Sequence, residues 1–213
     1  MKVLDQGFVE IVDVMGSDLS VVNSARVSFG KKTEKIRPRD ERLINYLWEH
    51  NHSSPFRHAT IQFHIKAPIF VLRQWMKHQV GCAWNEISGR YVEFDYEYHT
   101  PSHFRLQSKD NKQGSEGAVD PTTEKQAQEI FWDSCDSSMQ AYSALLNMGV
   151  CKEQARMVLP LNLYSECYWT ASLQAVMHFL KLREDSHAQW EIQEYARAIR
   201  EISKEHFPIS LKL

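Results

Sequence analysis

The stretch TIQFHIKAPIFVLRQWMKHQ, residues 60–79, changes hydrophobic period midway, and that change constrains the fold more than any other feature. Ile61, Phe63 and Ile65 alternate with Gln62, His64 and Lys66, the two-residue repeat of a strand with one face in a core. Beyond Phe70, Val71, Leu72, Trp75 and Met76 recur at the spacing of one face of a short helix. Residues three or four apart are neighbours on a helix, so its other face delivers Arg73, Gln74, Lys77 and His78 together.

Other elements read less sharply. GFVEIVDVMG, residues 7–16, is rich in Val and Ile and predicts a strand, although its alternation is broken. Asp18 predicts the N-cap of a helix to about residue 29, and PRDERLINYLWEHN a second helix after Arg37. HSSPFRHA is a loop, VGCAWNEISG another, and RYVEFDYEYH a strand. Residues 122–149 predict a long helix ending at a glycine, and CKEQARMVL a short one stopped by Pro160. LNLYSECYWTAS predicts a strand and LQAVMHFLKL a helix; Ser186 and Gln189 have the spacing of a capping box for the last helix.

The 213 residues suit one domain, 1–213, with an exposed loop at about 100–121, where Gly, Ser, Asn, Asp and Lys crowd together, that is a candidate for disorder. With 43% hydrophobic and 24% charged residues, no apolar run of membrane-spanning length and no signal-peptide core, the chain is expected to be cytoplasmic, with no membrane partner. Four cysteines without a C-x-x-C pair signal neither a disulfide framework nor a zinc knuckle. A net charge of −2 gives no general attraction to nucleic acid, so an anionic partner must meet a local patch. Residues 51–90 supply one: Arg57, Lys66, Arg73, Lys77 and Arg90 stand against a single acid, Glu86.

Arg73, Lys77 and Arg90 bracket the loop KHQVGCAWNEISGRY, and Arg183 precedes the last helix; such groups hold phosphate, or they are solvated and paired with Glu86, Glu93 and Glu184. Ten histidines form no H-E-x-x-H or comparable ligand pattern, so no metal is expected. Cys82 and Ser88 lie in no nucleophile elbow, and Cys82 is read as a buried inert thiol. Gly-rich phosphate fingerprints are absent.

APIFVLRQWMKH, NEISGRY, ARMVLPLNLY and LREDSHAQWEIQ, in this order and spacing, resemble the flavin-dependent thymidylate synthases. The likeness runs from GFVEIVDVMG to about residue 207. It implies an α/β (α+β) subunit with an antiparallel central sheet flanked by helices, assembled as a homotetramer with active sites at subunit interfaces. It also implies FAD as cofactor, dUMP as substrate, methylenetetrahydrofolate as carbon donor and NADPH as reductant.

Carried over by position, the resemblance implies FAD contacts at Ser54, Lys77, His78, Gln79, Glu86, Ser172, Gln174 and His178. It implies dUMP contacts at Gln74, Lys77, Glu86, Ile87, Ser88, Gly89, Arg90, Arg156 and Arg183. Arg183 is the implied catalytic residue: its guanidinium stabilises negative charge developing on uracil and so raises electron density at C5 without an enzyme thiol. The family's usual motif reads R-H-R-x-x-S-x-N-E-x-S-x-R. Here Lys77, His78 and Gln79 fill the first three places, the run to Asn85 is one residue longer, Ala83 replaces the first serine, and Gln174 stands where arginine is common. These departures leave open a hydroxymethylase acting on the same nucleotide, and a non-catalytic nucleotide-binding relative.

Overall fold

The computed structural model describes residues 1–212. In chain order the strands are β1 (Lys2–Val3), β2 (Gly7–Met15), β3 (Thr60–Pro68), β4 (Cys82–Glu86), β5 (Arg105–Gln107), β6 (Ser115–Ala118) and β7 (Tyr164–Ser172). The helices are α1 (Asp18–Arg26), α2 (Pro38–Glu49), α3 (Ile69–Trp75), α4 (Pro121–Asn147), α5 (Lys152–Ala155), α6 (Leu173–Arg183) and α7 (Trp190–Ser203). Five strands form an antiparallel sheet in the order β1-β2-β3-β7-β4, and β5 pairs with β6 in a separate hairpin. The architecture is the α/β one expected: an antiparallel sheet with helices packed on it. Among the described residues no helix is long and apolar enough to cross a membrane.

The period change at residues 60–79 has the consequence its pattern requires. Ile61, Phe63 and Ile65 are fully buried, and so are Val71 and Trp75 on the inner face of α3. β7 repeats the same plan, passing at Ser172 directly into α6. Because β3 and β7 are antiparallel, from Thr60↔Ser172 to Pro68↔Tyr164, α3 and α6 start from opposite ends of the sheet and run back along it. Their far ends therefore meet: the Arg183 guanidinium on α6 donates to the Gln74 carbonyl on α3 at 3.3 Å. An aromatic layer beneath them holds this arrangement. Trp75 stacks on Phe179 at 4.6 Å between centroids, Trp84 on Trp169 at 5.4 Å, and Phe63 on Trp169 at 5.3 Å.

Several expectations are corrected. Residues 82–86 are not loop but an edge strand, Cys82↔Ala171 to Glu86↔Cys167, with Cys82 and Trp84 turned partly inward; the pattern spans too few residues between glycines to stand out. RYVEFDYEYH forms no strand. Its backbone makes only one bridge, Tyr98↔Leu163, and its aromatics hang from α4 instead: Tyr96 Oη bonds Ser143 Oγ at 2.9 Å and Tyr98 Oη donates to Asp136 at 2.9 Å. The broken alternation in β2 is a bulge, where the register jumps between Ile11 and Asp13 and leaves Val12 exposed.

Asp18 does not cap α1. Ser17 holds that position, while the buried Asp18 carboxylate accepts from the backbone of Ile209 and Ser210 and from the Ser210 hydroxyl. The capping box at Ser186 and Gln189 does not form either; Gln189 is itself the residue before α7, and its side chain is engaged elsewhere. The loop at 100–121, a candidate for disorder, contains the β5–β6 hairpin. Arg105 ties it to α7 by a 2.7 Å bond to Glu191.

Candidate active site

The segment Lys77–Val80, between α3 and β4, lies alongside α6, and the two enclose a cleft of about 440 Å³. Lys77, His78, Gln79 and Val80 line one side; Gln174, Ala175, His178, Leu182 and Arg183 line the other. The approach is close because β4 begins beside the start of α6: Ser172 N–H donates to the Gly81 carbonyl at 2.9 Å. Gly81 has φ +75°, and a Cβ there would come within 2.7 Å of Ser172 Oγ, so the turn into β4 requires glycine.

At the inner end of the cleft Arg183 Nε donates to His78 Nε2 at 3.0 Å. Burial, then the charges of Arg183 and His178, lower the His78 pKa from 6.5 to about 4. The ring is therefore neutral at neutral pH, accepts through Nε2 and carries its proton on Nδ1. Burial also lowers the pKa of Arg183 from its ordinary value. His78 packs edge-on to Phe179 at 5.2 Å and to His178 at 5.9 Å, and Trp84 Nε1 donates to the His78 carbonyl at 3.4 Å. The aromatic layer thus fixes the acceptor that aims the arginine.

No carboxylate lines the cleft, whereas Lys77 and Arg183 do. Gln79, Gln174 and the exposed His178 add neutral hydrogen-bonding groups, and α6 presents its positive dipole end at Gln174. This donor set fits an anionic, planar dinucleotide such as a flavin cofactor, with cations for phosphates and amides for a polar ring edge. Among the described residues no cluster of His, Cys, Asp and Glu is arranged to hold a metal.

The cleft brings together Lys77, His78, Gln79, Gln174, His178 and Arg183, with Gln74 beside them. Ser172 is next to it but serves as the N-cap of α6, accepting from Ala175 N–H at 3.3 Å. Ser54 opens a 3-10 turn, Ser54–His58, one residue before buried Pro55. The remaining residues implied by the resemblance are elsewhere. Ile87 N–H donates to the Glu166 carbonyl at 2.9 Å, and Glu166 is six positions along β7 from Ser172, about 20 Å at the usual rise per residue.

At that far end Glu86 accepts from Ser165 Oγ at 2.7 Å, and Ser88 Oγ accepts from Arg90 N–H at 3.3 Å. Gly89 is buried where a Cβ would collide with the Phe94 ring. Arg90 meets Glu153 on α5 at 3.5 Å, with both side chains more than half exposed, and Arg156 is exposed in the turn after α5. KHQVGCAWNEISGRY is thus a turn, a strand and a second turn, and β4 holds its two ends apart. Arg73, expected with Lys77 and His78, is exposed and outside the cleft, because α3 ends at Trp75 and the chain then changes direction.

Cys82, read as a buried thiol, is only half-buried; burial still raises its pKa and keeps it protonated. Two neighbours of the cleft escaped the sequence reading. Gln189 accepts from Gln74 Nε2 at 2.5 Å, a role hidden by the resemblance of its position to a capping box. Arg57, legible only as part of a basic stretch, donates through Nε to Gln174 Oε1 at 2.6 Å across 117 residues of sequence.

Comparison with known proteins gives this arrangement a context. The sequence profile described as "Thymidylate synthase complementing protein" matches residues 10–209. The chain is 50% identical to the flavin-dependent thymidylate synthase of Thermus thermophilus, over 99% of this chain and 76% of that protein. It is 46% identical to the enzyme of the same name from Kosmotoga olearia, over 99% of this chain and 90% of that protein. In three dimensions it resembles the UMP/dUMP methylase PolB from Streptomyces cacaoi bound with 5-Br dUMP. That superposition has a TM-score of 0.87 at 30% identity and covers 100% of this chain and 96% of PolB. Profile, sequence relatives and fold agree over nearly the whole chain: it belongs to the flavin-dependent thymidylate synthase family of methyltransferases.

Proposed function

We propose that this protein catalyses the FAD-dependent reductive methylation of dUMP to dTMP, with methylenetetrahydrofolate as carbon donor and NADPH as reductant. The observation that carries the reading is the carboxylate-free cleft in which a neutral histidine aims the guanidinium of Arg183. In this reading Lys77, His78, Gln79, Gln174 and His178, with Ser54 and Ser172 nearby, hold the flavin, while Glu86, at the far end of β4, contacts the flavin of a neighbouring copy's site. Bound flavin supplies the hydride. Arg183 stabilises negative charge on the uracil ring and so activates C5, and among the described residues no Ser, Thr or Cys side chain lines the cleft to attack it. Gln74, held by Gln189, and Lys77 position the nucleotide from the same side.

Glu86, Ile87, Ser88, Gly89, Arg90 and Arg156 bind the nucleotide in a neighbouring copy's site. This division is favoured because β4 separates the two groups within one chain, while Arg90 and Arg156 stand exposed and ready to meet a phosphate. Each chain, one domain over residues 1–213, then contributes to two sites of a cytoplasmic homotetramer. PolB is a methylase of both UMP and dUMP, so the ribonucleotide is a necessary control.

The test incubates purified protein with FAD, NADPH, methylenetetrahydrofolate and either dUMP or UMP, and weighs the product. Thymidylate from dUMP supports the reading. 5-Hydroxymethyl-dUMP, methylation of UMP alone, or a colourless protein that takes up no FAD refutes it.

A further inference from the structure

We infer that Arg57 is a further binding residue of the cleft, supplying a positive charge toward the phosphates of the dinucleotide cofactor. The inference rests on the flavin reading above. Arg57 stands on the Ser54–His58 turn and is exposed. Its Nε donates to Gln174 Oε1 at 2.6 Å, and its Nη2 to Ser53 Oγ at 3.2 Å. Arg26, Arg105, Arg197 and Arg200 each rest on a carboxylate, but among the described residues Arg57 has only these two neutral acceptors. A guanidinium carries five N–H donors, so three remain for an anion.

The contact also orients its partner. With Oε1 of Gln174 turned toward Arg57, the carboxamide directs its two N–H donors away from that contact. Gln174 lines the cleft at the first turn of α6, where the helix dipole favours negative charge. Arg57 and Gln174 therefore form a joint donor set, positively charged through Arg57 alone, at the end of the cleft away from Arg183. Gln79 and Gln174 are neutral where the family resemblance leads one to expect arginines, and Arg57 returns a cation to that end from another element. Arginine suits the task because its planar fork donates two parallel hydrogen bonds to phosphate oxygens.

The experiment titrates FAD by its fluorescence at low and high salt, using wild type, Arg57→Gln and the swapped variant Arg57→Gln/Gln174→Arg, with thermal melts as a folding control. At low salt Arg57→Gln should weaken FAD binding about tenfold, the size of one charge-assisted contact. The deficit should shrink at high salt, where the lost charge is screened, with melting unchanged. The swapped variant, which puts a guanidinium on the other side of the same 2.6 Å contact, should recover affinity. An Arg57→Gln protein with wild-type affinity at low salt, or a deficit that ignores salt and that the swap leaves in place, overturns the assignment. Wild-type protein that takes up no FAD refutes the flavin reading itself.

Discussion

The two ends of β4 are built in opposite ways. At Cys82 the chain leaves a turn braced from below by Trp75, Phe179 and Trp169, and Arg183 and the neutral His78 beside it are partly buried and oriented by each other. At Glu86 it enters a turn whose charged groups are exposed and whose ion pair, Arg90 with Glu153, lies in solvent. The first end is preorganised within one chain. The second presents exposed donors, Arg90 and Arg156, beside only a small hollow of about 70 Å³ at Ile87. The difference supports the proposal that one chain carries halves of two different sites.

The largest expected effect comes from attacking the brace. Trp75→Ala removes a fully buried ring that stacks on Phe179, and should cost roughly 3–5 kcal/mol of stability by denaturant titration. Arg90→Ala breaks only an exposed pair and should change stability by less than about 0.5 kcal/mol. Next is Arg183→Ala. Loss of one donor to developing charge should lower turnover about 10²- to 10³-fold while the flavin spectrum persists.

His78 gives a pH-dependent contrast. Its folded pKa of about 4 lies below the ordinary 6.5, so between these values the unfolded chain binds the extra proton. Its contribution is fully present above pH 6.5 and is lost as pH falls toward 4, and a His78→Asn variant should show a flatter decline in stability over that window. Arg90→Ala should raise the KM for dUMP about tenfold, the value of one charged contact to phosphate, with turnover little changed. The smallest effect is reserved for Cys82→Ser, which should leave turnover unaltered because the thiol is held protonated and outside the chemistry; loss of activity there would reopen covalent catalysis.

Much of this was legible in the sequence where a pattern was long. The alternation through Ile65, the helical spacing to Trp75 and the long helix before Gly149 all took the form their residues dictate. Short elements were not legible. β4 has five residues and one partner, so its alternation of Cys82 and Trp84 with Ala83 and Asn85 resembles loop. Tyr96 and Tyr98 mimic a strand because they are spaced to reach positions about two turns apart on α4. Residues of the cleft could be gathered by motif, but no local pattern places Arg57 on Gln174 or Gln74 on Gln189. The first arises from the antiparallel return of β7, which sets α6 beside the Ser54–His58 turn, and the second from the packing of α7 on α3.

The central claim is that Arg183 and Arg90 of one chain serve different sites, and subunit complementation tests it most directly. Arg183→Ala and Arg90→Glu chains, each depressed alone when assayed at low dUMP, are co-expressed under separate tags and the mixed assemblies purified. Shared sites predict recovery of turnover in the mixture well above either parent, because some sites then combine an intact Arg183 with an intact Arg90. A mixture no more active than the average of its parents would place both residues in the site of a single chain and contradict the account.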